Sequence, residues 1–190
     1  MKKEKSKKTF IIVITTFIAL SMIVSIFAVV VDNQGSKLEY NNQKFTLTEQ
    51  GYKTKINGNY YIFQYFPAEI ESITLTPEAK SLLDNSQGLI VLFDPNADSE
   101  NLLYLDFARF SMDEKLDRQI FFAVTNESAA YALPVLSCQN ATSSLPIIYF
   151  NLSTEVSVTN DGSCIIANAK LREILGVEER MVYHMLGVME

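Results

Sequence analysis

The chain has 190 residues, with 16 Lys+Arg against 22 Asp+Glu, one His, two Cys and no Trp. Residues 1–8 hold five Lys against one Glu, residues 9–31 hold no charge, and residues 32–190 carry 11 Lys+Arg against 21 Asp+Glu, a net of −10. This pattern argues against a plain cytosolic enzyme and against a long disordered tail. An acidic body also lacks the Lys/Arg surplus that nucleic-acid phosphates demand.

The apolar bar comes first in the chain. Thr9–Val31 is 23 residues without a charge, which at ~1.5 Å per helical residue reaches across a ~30 Å hydrocarbon core. A cleaved signal has a shorter apolar region and ends at a small-x-small site, and neither Ile26-Phe27-Ala28 nor Val29-Val30-Val31 makes a good one. The run is therefore expected to be a transmembrane anchor in the lipid bilayer, residues 9–31. Lys2, Lys3, Lys5, Lys7 and Lys8 form a basic tip, residues 1–8, that stays cytoplasmic and leaves the rest outside. Residues 32–37 are a short polar tether.

A β-rich extension follows over residues 38–67. Phe45 and Leu47 suggest one strand. Tyr52–Ile56, Asn57-Gly58 and Asn59–Phe66 form a hairpin signal, since Asn-Gly supplies the positive φ angles of a type I′ turn. Tyr52, Tyr60, Tyr61, Phe63, Tyr65 and Phe66 fall on both faces of this ribbon. One face covers a core, and the other is either buried or a contact surface.

Residues 68–190 alternate strand and helix. Ile73–Thr76 reads as a short strand, and Thr76-Pro77 opens a helix through Leu83. Gly88–Phe93 is a continuous apolar run, as for a strand covered on both faces. Asp98 caps a helix to about Leu116, with Leu102, Leu105 and Met112 on one side and Leu103, Phe107 and Phe110 on another. Gln119–Val124 reads as another buried strand. After an irregular stretch, Pro146–Phe150, Glu155–Val158 and Ser163–Ala167 are strands, the last two joined at Asn160-Asp161-Gly162. A final helical region covers Ala169–Leu186, with Gly176 as a break and Gly187 as its cap. The expected architecture is an α/β domain on a mixed sheet flanked by helices.

Outside the cell two cysteines favour pairing, and Cys138 with Cys164 would close a loop worth about 3 kcal/mol of chain entropy. Two buried or reactive thiols are the alternative. Asn126-Glu127-Ser128, Asn140-Ala141-Thr142 and Asn151-Leu152-Ser153 match the N-glycosylation pattern.

The order strand, helix, strand, helix, strand, connection, strand, strand, helix from Ile73 to Leu186 resembles the thioredoxin fold. Leu89–Asp98 stands in the strand–loop–helix place where that family carries its CxxC. Leu145-Pro146 stands where the family sets a cis-proline facing the active loop. Pro95, Asn96, Ala97 and Asp98 replace the CxxC, so the resemblance implies the scaffold without the attacking thiolate. A fainter likeness, carried by Cys138-Gln-Asn-Ala-Thr142, Cys164-Ile-Ile and Tyr183-His-Met-Leu-Gly-Val-Met189, is to uncharacterised single-span membrane proteins of small-genome archaea. It implies no activity.

No GxSxG, HExxH, Walker or GxGxxG motif is present. His184 has no neighbouring nucleophile in sequence and reads as a surface or partly buried histidine. Asp113–Arg118 reads as a solvated charge run. Asp94 and Asp98 could pair as a cation site, but Asp98 as a helix cap explains the same residue. The expectation is a non-catalytic protein-binding or assembly module without cofactor or metal, anchored in the membrane and facing a protein partner outside. The candidate contact residues are Asp94, Asn96 and Asp98 beside Pro146, or Tyr61, Phe63 and Tyr65 on the ribbon. The rival is a membrane-tethered thiol–disulfide oxidoreductase using Cys138 and Cys164.

Overall fold

A computed structural model describes residues 14–25 and 37–190, which belong to two compact units, Met1–Lys37 and Leu38–Glu190. Residues 14–25 are helical (α1) with their side chains exposed. Among the described residues no helix is long and apolar enough to cross a membrane. The two ends of the Thr9–Val31 run, the basic tip and residues 32–36 of the tether lie outside the described residues.

The second unit holds two sheets. Strands β1 (Lys37–Tyr40), β2 (Gln43–Thr48), β3 (Gly51–Ile56) and β4 (Asn59–Phe63) pair in chain order. The expected hairpin is present, with Asn57 at φ 49° and Gly58 at φ 93°. A second turn at Asn41-Asn42, φ 47° and 63°, adds β1, because asparagine tolerates the left-handed region that a two-residue turn needs. Gly51 stands at φ 130°, and a Cβ there would strike the Phe63 carbonyl oxygen.

The other sheet has the order β6-β5-β7-β9-β8. It is built from β5 (Gly88–Phe93), β6 (Gln119–Val124), β7 (Ile147–Leu152), β8 (Ser157–Asp161) and β9 (Cys164–Ala169). β5, β6, β7 and β9 run parallel, and β8 returns antiparallel to β9. The sheet is mixed, as expected. β5 is buried along its whole length, whereas β6 buries only Ala123 and Val124 because it is the sheet's edge. Ile73–Thr76 is not a strand. Leu75 makes one bridge to Val158, after which Thr76 leaves the ladder to cap the next helix and accepts the Ala79 N–H at 3.2 Å.

The helices α2 (Pro77–Asn85), α3 (Ser99–Lys115) and α4 (Glu173–Met185) share one core with Leu89, Val91, Phe93, Ile148 and Phe150, one face of the sheet. The opposite face, Ile90, Leu92, Ala123, Ile147 and Cys164, is covered by Leu136, Cys138, Ala141 and Leu145 from the irregular connection. The large sheet is thus covered by helices on one side only. Its other cover is loop, held by a disulfide from Cys138 to Cys164.

Phe45, Ile56 and Phe63 of the small sheet belong to the same core as the helices. Phe63 stacks on Tyr183 of α4 at 4.0 Å, and Phe45 meets the same ring at 6.2 Å. α4 therefore lies between two sheets and is buried on nearly every side from Ile174 to Tyr183. It starts at Glu173 rather than Ala169, because Ala169 still pairs with Leu152 in the large sheet. Gly176 does not break it, since packing outweighs propensity in an enclosed helix. Gly187, at φ 73°, ends it: its N–H donates to the His184 carbonyl and that of Val188 to Tyr183, both at 2.9 Å.

Candidate functional site

The two expected halves of a loop site lie at opposite ends of the sheet. Asp94 follows the C-terminal end of β5, while Pro146 precedes β7, whose Ile147 pairs with Ile90. Because β5 and β7 are parallel, Pro146 sits level with Leu89, five residues and ~16 Å from Asp94 at ~3.3 Å per residue. Its carbonyl accepts the Ile90 N–H at 3.0 Å, its ring is buried, and all peptide bonds among the described residues are trans.

The acidic loop is occupied by its own chain. Asp94 Oδ1 accepts the Asn96 N–H at 3.0 Å. Asp98 caps α3, accepting from the N–H groups of Glu100 and Asn101 and from Asn101 Nδ2 at 2.6 Å. These bonds, those of Asn101 foremost, hold the exposed Asp98 carboxyl below its usual range. Asn96 is exposed.

The three ribbon residues part company. Phe63 is fully buried and is core, not contact surface. Tyr65 is half-buried; its N–H donates to Glu179 Oε2 at 2.8 Å, and Arg172 lies over its ring at 5.3 Å. Tyr61 lines a groove of about 680 Å³ between β4 and α3.

That groove is the feature with no internal explanation. One wall is β4 from Asn59 to Ile62, and the other is Phe107 and Phe110 of α3. β4 ends its sheet, with no strand beyond it among the described residues. On α3, Leu105, Ala108 and Met112 face the core. Leu103, Phe107 and Phe110, at i, i+4 and i+7, form a second apolar stripe, exposed at 66%, 50% and 53%, and Tyr60 across the groove is 67% exposed. An amphipathic helix has one apolar stripe to bury; α3 has two, and the second is covered only at Phe110, whose ring lies 4.0 Å from the Arg109 guanidinium and 5.7 Å from Phe122. The second stripe is legible in the 103/107/110 spacing.

The groove floor contains Ser111 and Lys115, backed by two carboxyls that the sequence reading did not single out. Ser111 Oγ donates to Glu178 Oε1 at 3.0 Å and accepts from Lys115 Nζ at 2.6 Å. Lys115 Nζ is 3.5 Å from Glu179 Oε1 and 4.8 Å from the centre of the Phe63 ring. Glu179 also accepts the N–H groups of Gln64 and Tyr65, at 2.6 and 2.8 Å. Burial pushes the Glu178 carboxyl up to about 8, with the Glu179 charge adding and the Lys115 charge opposing. Burial likewise raises Glu179, against Lys115 and its two N–H donors. Glu178 Oε2 has no hydrogen-bond partner among the described residues.

A serine beside a lysine invites a nucleophilic reading. This pair does not meet it: Lys115 Nζ donates to Ser111 Oγ instead of accepting from it, and the serine hydroxyl donates to Glu178. The cluster ties β4 to α3 and α4. The Asp113–Arg118 run is accordingly not all solvated, since Lys115 is nearly buried and Arg118 donates to the Leu83 carbonyl at 2.6 Å.

A larger recess of about 970 Å³ is lined by Glu71, Lys80, Asp84, Arg180 and His184 among others. His184 Nε2 lies 3.1 Å from Asp84 Oδ1 there, and Arg180 donates to the carbonyls of Ile73 and Glu190, while its Nη1 finds no hydrogen-bond partner among the described residues. No protein-family model matches the chain, and no curated protein or solved structure matches it.

Proposed function

We propose that the chain is a membrane-anchored, extracytoplasmic protein-binding module that does no chemistry, and that the β4–α3 groove is where it meets its partner. The observation that carries this reading is the half-exposed Leu103–Phe107–Phe110 stripe, partly covered at Phe110 by Arg109 and Phe122, beside the β4 edge that no described strand pairs. Contiguous exposed apolar surface rimmed by polar residues marks an interaction site.

The anchor is supported by the uncharged Thr9–Val31 run behind five lysines. Helical residues 14–25 fit lipid: Ser21 Oγ donates to the Ile18 carbonyl and Ser25 Oγ to that of Ser21, so both hydroxyls are satisfied without water. The disulfide fits an oxidising compartment. Cys164 is fully buried and Cys138 half-buried, so a thiolate could reach the bond from one side only, which supports a structural bond over an exchanging one. The strand–helix order that resembles the thioredoxin fold serves here as scaffold.

A photo-crosslinking residue placed at Phe107 in native membranes tests the reading, with one at Asn96 as the comparison. One recurrent protein adduct from position 107, absent from position 96, is the expected result. Adducts at 96 alone, or none at either, would overturn it.

A further inference from the structure

The groove pairs two kinds of complementarity that only a polypeptide satisfies together. One wall offers apolar rings. The other offers backbone. In a hairpin closed by a two-residue turn, the flanking residues Ile56 and Asn59 exchange both backbone bonds, and bonded and non-bonded pairs then alternate. In the observed register Tyr60 opposes Lys55 and Ile62 opposes Lys53. Tyr60 and Ile62 therefore direct their N–H and C=O groups away from β3, toward the groove. The next outward donors, the Gln64 and Tyr65 N–H groups, are taken by Glu179. The open stretch of edge is β4 itself, five residues or ~17 Å.

Charge selects among polypeptides. Lys53 and Lys55 bracket the Tyr60 ring, their Nζ atoms 4.8 and 5.4 Å from its centre. The two lysines stand on β3 beside the groove rather than in its lining, a basic spot on a body of net −10; within the lining Lys115 is engaged by Glu179, and Glu114 is acidic. A second copy of the chain would bring the same lysines to the same place and a second −10.

Resting on the binding-module reading, we infer that the groove takes an extended segment of a partner protein, acidic at one end and alternately apolar. The segment pairs with the free edge of β4 as a fifth strand, lays apolar side chains on Phe107 and Phe110, and sets its carboxylates against Lys53 and Lys55. Main-chain bonds to an edge strand give such an interaction its affinity, and alternate side chains its specificity.

The test uses the full chain in mild detergent and a labelled synthetic peptide of about ten residues, alternating Val and Thr with two Asp at one end. Three controls accompany it: the same peptide N-methylated at alternate amides, a version with Lys for Asp, and the chain alone in sedimentation. Saturable binding is expected, with exchange of the Tyr60 and Ile62 amide protons slowed. Binding should weaken at least about tenfold on N-methylation, since each lost bond of ~1.4 kcal/mol is a factor of ten, and should weaken with added salt and with Lys for Asp. Ile62→Pro removes an outward donor without touching the β3 ladder, and Phe107→Ser removes a ring from an exposed site. Each should cost about tenfold on the same conversion; the second keeps the test sharp if the first variant does not fold. Equal binding of the N-methylated peptide, unchanged Tyr60 and Ile62 amides, no binding at all, or a dimer paired through β4 would each overturn the inference. If a partner still crosslinks from position 107 in membranes, the binding-module reading stands without it; if none does, both fall.

Discussion

Replacing Glu178 by Gln isolates the most expensive group in the interior. Glu178 is wholly buried, accepts one bond from Ser111 and leaves Oε2 without a partner. Burial raises its carboxyl from the ordinary 4.5 to about 8. A carboxyl raised in the folded state contributes stability that is fully present below about 4.5 and is lost as pH rises through about 8. Between about pH 6 and about pH 9 that loss is roughly 2–3 kcal/mol for an isolated group, and roughly 1–3 kcal/mol after allowing for Lys115 and Glu179 beside it. Gln keeps a carbonyl for Ser111 and cannot ionise. Glu179 is raised in the same direction but is present in both proteins, so it largely cancels in the difference. Urea unfolding followed by circular dichroism from about pH 4 to about pH 9 should show the two proteins closest near pH 4, with the advantage of Glu178→Gln growing up to about pH 8 and level beyond it. Parallel pH profiles, or a variant that loses stability faster with rising pH, would refute the assignment of a neutral buried acid.

Removing both sulfurs, Cys138→Ser with Cys164→Ala, should cost about 3 kcal/mol in urea, because the bond closes a loop of sequence separation 26. Gly51→Ala should cost at least about 2 kcal/mol and speed amide exchange along β4, since its methyl would strike the Phe63 carbonyl at a φ that disfavours any side chain. Tyr183→Phe keeps the stack on Phe63 but strands the Tyr65 carbonyl that its hydroxyl reaches at 2.9 Å; about 1–2 kcal/mol of unfolding free energy should go with it. Phe107→Ser should leave stability within about 0.5 kcal/mol, because the ring is half exposed, and a larger loss would mean that the stripe is part of the core.

The local signals in the sequence were strong where one residue type has one use. Asn57-Gly58 made its turn, Asp98 its cap, Thr76-Pro77 its helix start and Gly187 its stop. Gly88–Phe93 lies fully buried as an interior strand of its sheet. What failed was direction and neighbourhood. Strand order along the chain does not state whether β7 runs with or against β5, and that choice alone carries Pro146 away from Asp94. Nor does an aromatic count on a ribbon say which ring meets α4, so Phe63, grouped with Tyr61, went to the core. The Glu178-Glu179-Arg180 run carries no local sign of its burial, because nothing in the neighbouring sequence reveals that a second sheet covers that face. Ser111 and Lys115 were invisible for the same reason, their partners lying 67 and 64 positions further along the chain.

The buried acids and the open groove are two consequences of one arrangement. A carboxylate deep in a protein is costly unless donors surround it, and Glu179 finds two in the Gln64 and Tyr65 N–H groups just past β4. Those bonds fix the end of the small sheet on α4, while Lys115, reaching both Ser111 and Glu179 and lying over Phe63, holds α3 alongside. β4 is thereby tied to α3 and α4 at its C-terminal end, while Tyr60 and Ile62 along the strand keep outward N–H and C=O groups beside Phe107 and Phe110. The acids that are costly to bury thus anchor the strand whose edge forms one wall of the groove.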